Sequence, residues 1–134
     1  MPESGLVYFD ASALVKLVVD EPESRSLSEA VAAWKSCATS LVGAVEVVRV
    51  SRRHPDPTTP RRAETVLDGL IFLEFDTAIA EAAKEIAPPA LRSIDAIHLA
   101  TALSLGEDLG GFVCYDRRLA DAAELVGLPL LAPA

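Results

Sequence analysis

Short apolar segments alternate with longer amphipathic segments along the chain, and this order predicts strands that alternate with helices. The short runs predict strands at residues 6–9, 36–39, 71–75, 112–115 and 128–131, of which 112–115 is expected to be buried and 128–131 to lie at an edge. Between them, apolar residues recur at helical spacing in the segments 11–19, 23–34, 40–53, 61–70, 77–86, 93–105 and 117–127. We therefore predict an α/β fold of three layers, in which a central, mostly parallel sheet of four to five strands has helices on both faces.

The breaks between these segments carry turn and capping residues rather than a linker between domains. Residues 54–60 (HPDPTTP) contain three prolines and predict an exposed loop. Ser40 or Thr39 is placed to cap the helix at 40–53, and Asp76 to cap the helix at 77–86. Gly106 is placed to end the helix at 93–105. The 134 residues are predicted to form a single domain, residues 1–134.

Composition narrows the class of protein. A hydrophobic content of 51 % argues against general disorder, and no apolar run reaches the ~18–20 residues of a membrane span. The N-terminal stretch carries Glu3 and no basic region, so we expect no secretory signal and a cytoplasmic protein. Cys37 and Cys114 lie in apolar runs and are predicted to be reduced core residues.

The net charge of −8 argues against a general binder of duplex DNA, which needs a positive field. It leaves open an enzyme whose acidic site holds a metal ion. Two acids favour such a site by position, because Asp10 and Asp116 each follow a predicted strand and ligands bind at the carboxyl ends of parallel strands. The alternative is that each aspartate only caps the helix that follows it.

Two further acids lie in apolar helical surroundings, where an unpaired carboxylate is costly to bury. Glu46 has Arg49 three residues later, so a simple ion pair between them is one explanation. Asp95 is followed at three and four residues by His98 and a leucine, so no basic partner of that kind is present. A functional role is therefore the better explanation for Asp95.

If the four carboxylates converge at one sheet edge, their repulsion requires a hard divalent cation such as Mg²⁺ or Mn²⁺. A cation held by carboxylates is typical of phosphodiester hydrolysis. The chain has no CxxC, HExxH, GxGxxG, GxxxxGK[ST] or GxSxG motif. The sequence therefore does not indicate a zinc site, a dinucleotide site, a P-loop or a serine hydrolase.

Four segments of the chain, YFDASALVK, VEVVR, SIDAIHLATA and YDRRLADAA, resemble the motifs of PIN-domain ribonucleases, and in particular of VapC-type toxins from bacterial toxin–antitoxin pairs. The resemblance implies an endoribonuclease that depends on Mg²⁺, with Mn²⁺ as a substitute, and that is neutralised by a cognate VapB-type antitoxin. It also implies a homodimer. The family's acidic quartet falls on Asp10, Glu46, Asp95 and Asp116.

The resemblance assigns roles to these residues. Asp10, Asp95 and Asp116 are expected to ligate the metal, and Glu46 to orient water or complete a second metal site. Ser12 matches a position that is often Ser or Thr beside the metal, although a hydroxyl there also serves as a helix-start cap.

For other polar residues the sequence gives less support for a role in the site. Lys16 matches a lysine of the first motif and either pairs with a site carboxylate or lies on the surface. His98 is interpreted as a hydrogen-bonded core histidine, and Asp121 as facing solvent. An arginine-rich stretch near the middle of the chain is either a solvated face or a set of phosphate contacts, and its tentative RNA-binding residues are Arg52, Arg53, Arg61 and Arg62.

Three alternatives to a ribonuclease toxin belong to other classes. A PIN-like module without catalysis would only bind a partner, but all four acids are present. A phosphoacceptor receiver-like domain would use an aspartate such as Asp76, yet the paired acids and the late lysine of that class are missing. A DNA-directed flap nuclease needs helical insertions for which 134 residues leave no room.

Overall fold

A parallel sheet of five strands lies at the centre of the computed structural model, which describes residues 5–134. The expectation about Glu3 and a missing secretory signal concerns residues outside this range. Every neighbouring pair of strands is parallel, in the order β3-β2-β1-β4-β5. The strands are β1 (Leu6–Phe9), β2 (Cys37–Ser40), β3 (Ile71–Leu73), β4 (Leu109–Val113) and β5 (Leu130–Leu131).

Helices cover both faces of the sheet, which confirms the predicted layers. They are α1 (Ala11–Val18), α2 (Ser24–Ala33), α3 (Leu41–Arg53), α4 (Thr59–Asp68), α5 (Thr77–Lys84), α6 (Ser93–Leu103) and α7 (Arg117–Leu125). Alternate side chains of β1 point to opposite faces, as the pleat of a strand requires. Val7 and Phe9 join a core cluster with residues of α1 to α4, whereas Tyr8 joins a second cluster with residues of α6 and α7.

The strand order creates a crevice between β1 and β4. From β1 the chain moves outward through β2 to β3, and then crosses to the other side of β1 to form β4. Neighbouring strands whose connections leave in opposite directions mark the place where ligands bind in open α/β sheets. Asp10 follows β1 and Asp116 follows β4, so the topology brings both to this crevice.

The predicted bounds of β4 are wrong by several residues. The apolar run at 112–115 predicted the strand, but β4 begins at Leu109 and ends at Val113. It includes Gly110 and Gly111, which have low strand propensity and so gave no apolar signal. A Cβ on Gly111 would meet the side chain of Leu131 in β5, so a larger residue there would need that side chain to move. Asp116 therefore follows a two-residue turn after β4 rather than the strand itself.

Ser40 and Asp76 are confirmed as helix caps. Ser40 accepts a hydrogen bond from the N–H of Val42 at the start of α3, and Asp76 accepts one from Ile79 at the start of α5. The helix predicted to reach Gly106 ends earlier, at Leu103, and Gly106 with a φ of 54° begins a short 3-10 helix instead. Because β3 is an edge strand, Asp76 lies far from the central strand β1, which argues against a receiver-like site. In the part of the chain that the structure describes, no helix has the length and apolar character needed to cross a bilayer.

Candidate active site

Asp10 and Asp116 each cap a helix, and both also lie at the carboxyl edge of the sheet. Asp10 Oδ1 accepts a hydrogen bond from the N–H of Ala13 at 2.9 Å, and Asp116 Oδ1 accepts one from the N–H of Leu119 at 3.1 Å. Each contact occupies one carboxylate oxygen at the start of a helix. The capping interpretation is therefore confirmed, and it does not compete with a site role because each carboxylate has a second oxygen.

Ser12 ties Asp10 to the turn that follows β4. Its Oγ lies 2.7 and 2.8 Å from the two carboxylate oxygens of Asp10, to which it donates, and it accepts the N–H of Tyr115 at 2.9 Å. Burial raises the pKa of Asp10 above its ordinary value, and the hydrogen bonds from Ser12 and Ala13 offset part of that rise. A nearby cation would favour the charged form of Asp10 further.

Asp95 has a basic partner that the sequence interpretation missed. Arg92 Nε donates to Asp95 Oδ2 at 2.9 Å, and Arg92 Nη2 donates to Asp95 Oδ1 at 3.3 Å. The same Nη2 lies 3.8 Å from Asp116 Oδ2. Arg92 stands three residues before Asp95, a spacing that also allows contact on a first helical turn, so the residues after Asp95 alone gave no sign of it.

Arg92 links two of the predicted site acids through one guanidinium group. Asp95 raises the pKa of Arg92, with smaller contributions from Asp116 and Glu46. The three acids therefore share one electrostatic neighbourhood. A pocket of about 340 Å³ opens here and is lined by Ala90, Leu91, Arg92, Asp95, Asp116, Arg117 and Arg118.

Glu46 is held by a buried hydrogen-bond chain rather than by Arg49. Its Oε1 lies 2.7 Å from Nε2 of His98, and Nδ1 of His98 lies 2.7 Å from the hydroxyl of Tyr8. A carboxylate only accepts, so we assign the ring proton to Nε2, and Nδ1 then accepts from Tyr8. Burial raises the pKa of Tyr8, which keeps its hydroxyl protonated as a donor.

His98 is therefore a hydrogen-bonded core histidine, as predicted, and it also contacts a site acid. It is 1 % exposed on α6. The close approach of α3 to this ring depends on Gly43, where a Cβ would lie 2.5 Å from Thr39 Oγ1 and 3.2 Å from His98 Cε1. The local pattern of Glu46 and Arg49 gave no sign of this contact, which joins residues 52 positions apart.

The acids fit a hard divalent cation in their chemistry. Asp95 and Asp116 already share one cationic group, and both offer the carboxylate oxygens that such ions prefer. Within residues 5–134, however, no three His, Cys, Asp or Glu groups are gathered closely enough to ligate one ion together. The structure therefore shows two of the carboxylates on one guanidinium rather than three carboxylates around one ion.

Other predicted residues lie outside this cluster. Lys16 pairs with Glu23 at 2.7 Å and with Glu21 at 3.2 Å, so the open question about Lys16 is decided against a site carboxylate. Asp121 is exposed on α7, as predicted. Cys37 and Cys114 are free and buried, as predicted.

The tentative RNA-binding arginines lie away from the pocket at Arg92. All four are exposed, and they flank the loop between α3 and α4. Seven residues of α3 separate Glu46 from Arg53, a rise of about 10 Å along the helix axis. Arg62 also pairs with Asp56 at 3.1 Å. Contact with RNA at Arg52, Arg53, Arg61 and Arg62 stays a prediction.

Fold and site together define a parallel α/β domain with an acidic cluster at the carboxyl edge of its sheet. The family model described as PIN domain matches residues 7–125. The chain therefore belongs to the PIN domain family, as its motifs indicated.

Curated relatives are similar over nearly the whole chain. Ribonuclease VapC47 of Mycobacterium tuberculosis (strain CDC 1551 / Oshkosh) is 39 % identical over 132 residues, which cover 96 % of this chain and 97 % of that protein. Ribonuclease VapC46 of Mycobacterium tuberculosis (strain ATCC 25618 / H37Rv) is 39 % identical over 129 residues, which cover 95 % of this chain and 97 % of that protein.

Solved structures share the fold. A toxin–antitoxin complex from Klebsiella pneumoniae has a TM-score of 0.71 at 23 % identity and covers 96 % of this chain and 98 % of that chain. Mycobacterium tuberculosis VapC20, described as a toxin that cleaves the sarcin–ricin loop, has a TM-score of 0.75 at 13 % identity. The match covers 95 % of this chain and 99 % of that chain. At these identities the likeness shows the fold alone.

Proposed function

We propose that the chain is a Mg²⁺-dependent endoribonuclease toxin of the VapC type, which hydrolyses phosphodiester bonds in RNA. The observation that carries the proposal is the pair Asp95 and Asp116, which share one cationic group beside the crevice between β1 and β4. The curated relatives named ribonuclease support the reaction class. Nucleases of this family depend on a metal ion, and the carboxylate oxygens here favour Mg²⁺, with Mn²⁺ as a substitute.

In the proposed mechanism, Asp95 and Asp116 would hold the cation, and Asp10 would join them once the carboxylates draw together around it, because the described residues do not gather three such groups around one point. A cation bound there would supply Lewis-acid stabilisation of the negative charge that develops on the attacked phosphate. Glu46 orients the attacking water or completes a second metal site, and His98 fixes the position of its carboxylate through the contact at 2.7 Å. Ser12 keeps Asp10 in place by donating to its carboxylate oxygens.

The proposal extends to partners and organisation. We propose neutralisation by a cognate VapB-type antitoxin, and the complex of similar fold from Klebsiella pneumoniae, in which a toxin is bound to an antitoxin, supports this partner. We also propose a homodimer of single-domain chains that acts in the cytoplasm, where RNA is present. The exposed arginines at 52, 53, 61 and 62 are proposed to contact RNA phosphates away from the site of cleavage.

The test of the proposal is the mapping of cleavage ends in purified total RNA with Mg²⁺, Mn²⁺ or EDTA. Asp95→Asn keeps the shape of the side chain and removes its charge, so we expect activity to fall by orders of magnitude. Asp121→Asn is the matched control, because Asp121 is an exposed aspartate of α7 outside the cluster, and it should cleave like the wild type.

Two results would contradict the proposal. One is an Asp95→Asn variant that retains most of the RNA-cleavage activity of the wild type, which would show that Asp95 is not a site residue. The other is the absence of any metal-dependent cleavage by the wild type, which would favour a PIN-like module that only binds a partner.

A further inference from the structure

The guanidinium of Arg92 contacts two carboxylates on one side and is open to solvent on the other. Its Nε and Nη2 face Asp95, and Nη2 also faces Asp116. The Arg92 side chain is 69 % exposed, whereas that of Asp95 is 7 % exposed. No contact among the described residues uses Nη1, so part of the fork of donors is available to another acceptor.

Arg92 is placed where a helix cap would be, yet it does not cap. It is the residue before α6, and its side chain makes no capping hydrogen bond. The pocket of about 340 Å³ at this point is also lined by Arg117 and Arg118, which add positive charge beside the two carboxylates. The side chain of Arg92 therefore has no helix-capping role, and two further arginines of the pocket are suited to an anion.

We propose that Arg92 competes with the divalent cation for Asp95 and Asp116 and, once displaced, binds an RNA phosphate in the adjoining pocket. The inference rests on the proposed function. Arg92 Nη2 lies 3.3 Å from Asp95 Oδ1 and 3.8 Å from Asp116 Oδ2, so its positive charge stands between the two carboxylates, where an ion ligated by both would have to bind. The displaced guanidinium stays on a flexible stem at the same pocket, and its planar fork matches a phosphate in a bidentate manner.

The two halves of this role predict opposite effects of one substitution. Removal of the guanidinium frees Asp95 and Asp116 from a competing cation, so a divalent ion should bind more tightly. The same removal deletes a contact with the substrate phosphate, so RNA should bind more weakly. A purely structural role for Arg92 would not tighten metal binding.

The experiment measures Mn²⁺ affinity by calorimetry in the absence of RNA, for the wild type, Arg92→Ala and Arg92→Gln. Glutamine keeps most of the side-chain stem, so it tests the idea if the alanine variant is unstable. We expect Mn²⁺ to bind both variants roughly 3- to 10-fold more tightly, the size of effect that loss of a partly exposed ion pair gives. Arg25→Ala is the control, because it removes an exposed positive charge of α2 that pairs with Glu29 and does not line this pocket, and it should stay within about twofold of the wild type.

The second measurement is RNA cleavage at saturating Mn²⁺. We expect the KM for RNA to rise about tenfold in both Arg92 variants, with a smaller change in kcat, because a phosphate contact made in the bound substrate persists in the transition state. Unchanged or weaker Mn²⁺ binding in both variants, or an unchanged KM, would overturn the inference. A wild type that binds Mn²⁺ but does not cleave RNA would overturn the proposed function instead, and the Mn²⁺ titration would still decide whether Arg92 competes for the carboxylates.

Discussion

The hydrogen-bond chain from Tyr8 through His98 to Glu46 makes a testable prediction about stability. The Tyr8 ring is fully buried and stacks on Phe112 with a centroid distance of 5.6 Å. Tyr8→Phe keeps this stacking and removes only the hydroxyl that donates to His98 at 2.7 Å. The substitution therefore removes the hydrogen bond to His98, together with the contacts that Ser40 and Thr101 make with the same hydroxyl, without opening a large cavity.

The expected loss follows from the acceptor that remains. Nδ1 of His98 would be buried with no donor from Tyr8, and an unsatisfied buried acceptor costs about 1–3 kcal/mol. For a chain of 134 residues this corresponds to a fall in Tm of roughly 3–10 °C. Urea and thermal unfolding at pH 7, followed by circular dichroism, measure both quantities.

The matched control is Tyr115→Phe, which also removes a phenolic hydroxyl. Tyr115 donates to the carbonyl of Pro133 at 2.6 Å, but its side chain is only partly buried, so water can replace the lost partner. We expect this control to lose less stability than Tyr8→Phe. Equal losses, or a Tyr8→Phe chain as stable as the wild type, would show that Tyr8 does not satisfy His98.

Three further predictions concern charge. The pKa of Glu23 lies below its ordinary value of 4.5 because Lys16 donates a hydrogen bond to its carboxylate. The pair therefore stabilises the fold above pH 4.5, and this contribution is lost as the pH falls through the lowered pKa. Lys16→Met should accordingly lower Tm at pH 7 but much less at pH 3, in thermal melts of both proteins at each pH. Alanine at all four tentative RNA-binding arginines should weaken RNA binding and reduce the salt slope by roughly 3, whereas an unaltered slope would make the stretch a solvated face. If a ~1 mM site exists, ~10 mM Mg²⁺ adds about 1.4 kcal/mol and raises Tm by roughly 3–6 °C. That rise in Tm should shrink towards zero in Asp95→Asn, with NaCl at matched ionic strength as the control. An equal rise in the wild type and in Asp95→Asn would show that Asp95 does not ligate the metal ion.

The sequence by itself determined the order of elements and the candidate acids. Helix and strand periods are local properties, so runs of a few residues were enough to predict the alternation, the parallel sheet and caps such as Ser40 and Asp76. The positions of Asp10 and Asp116 after strands followed from the same local pattern. The carboxyl ends of parallel strands meet at one edge whatever the details of packing.

Only the tertiary structure decided the partners of the acids. Glu46 contacts His98 across 52 positions and His98 contacts Tyr8 across 90, whereas the local pattern had offered Arg49. Which distant side chain reaches a buried carboxylate depends on how α3 and α6 pack at the end of β1, and no local period carries that information. The bounds of β4 were decided in the same way, because pairing with β1 and β5 extends the strand through two glycines that disfavour it locally.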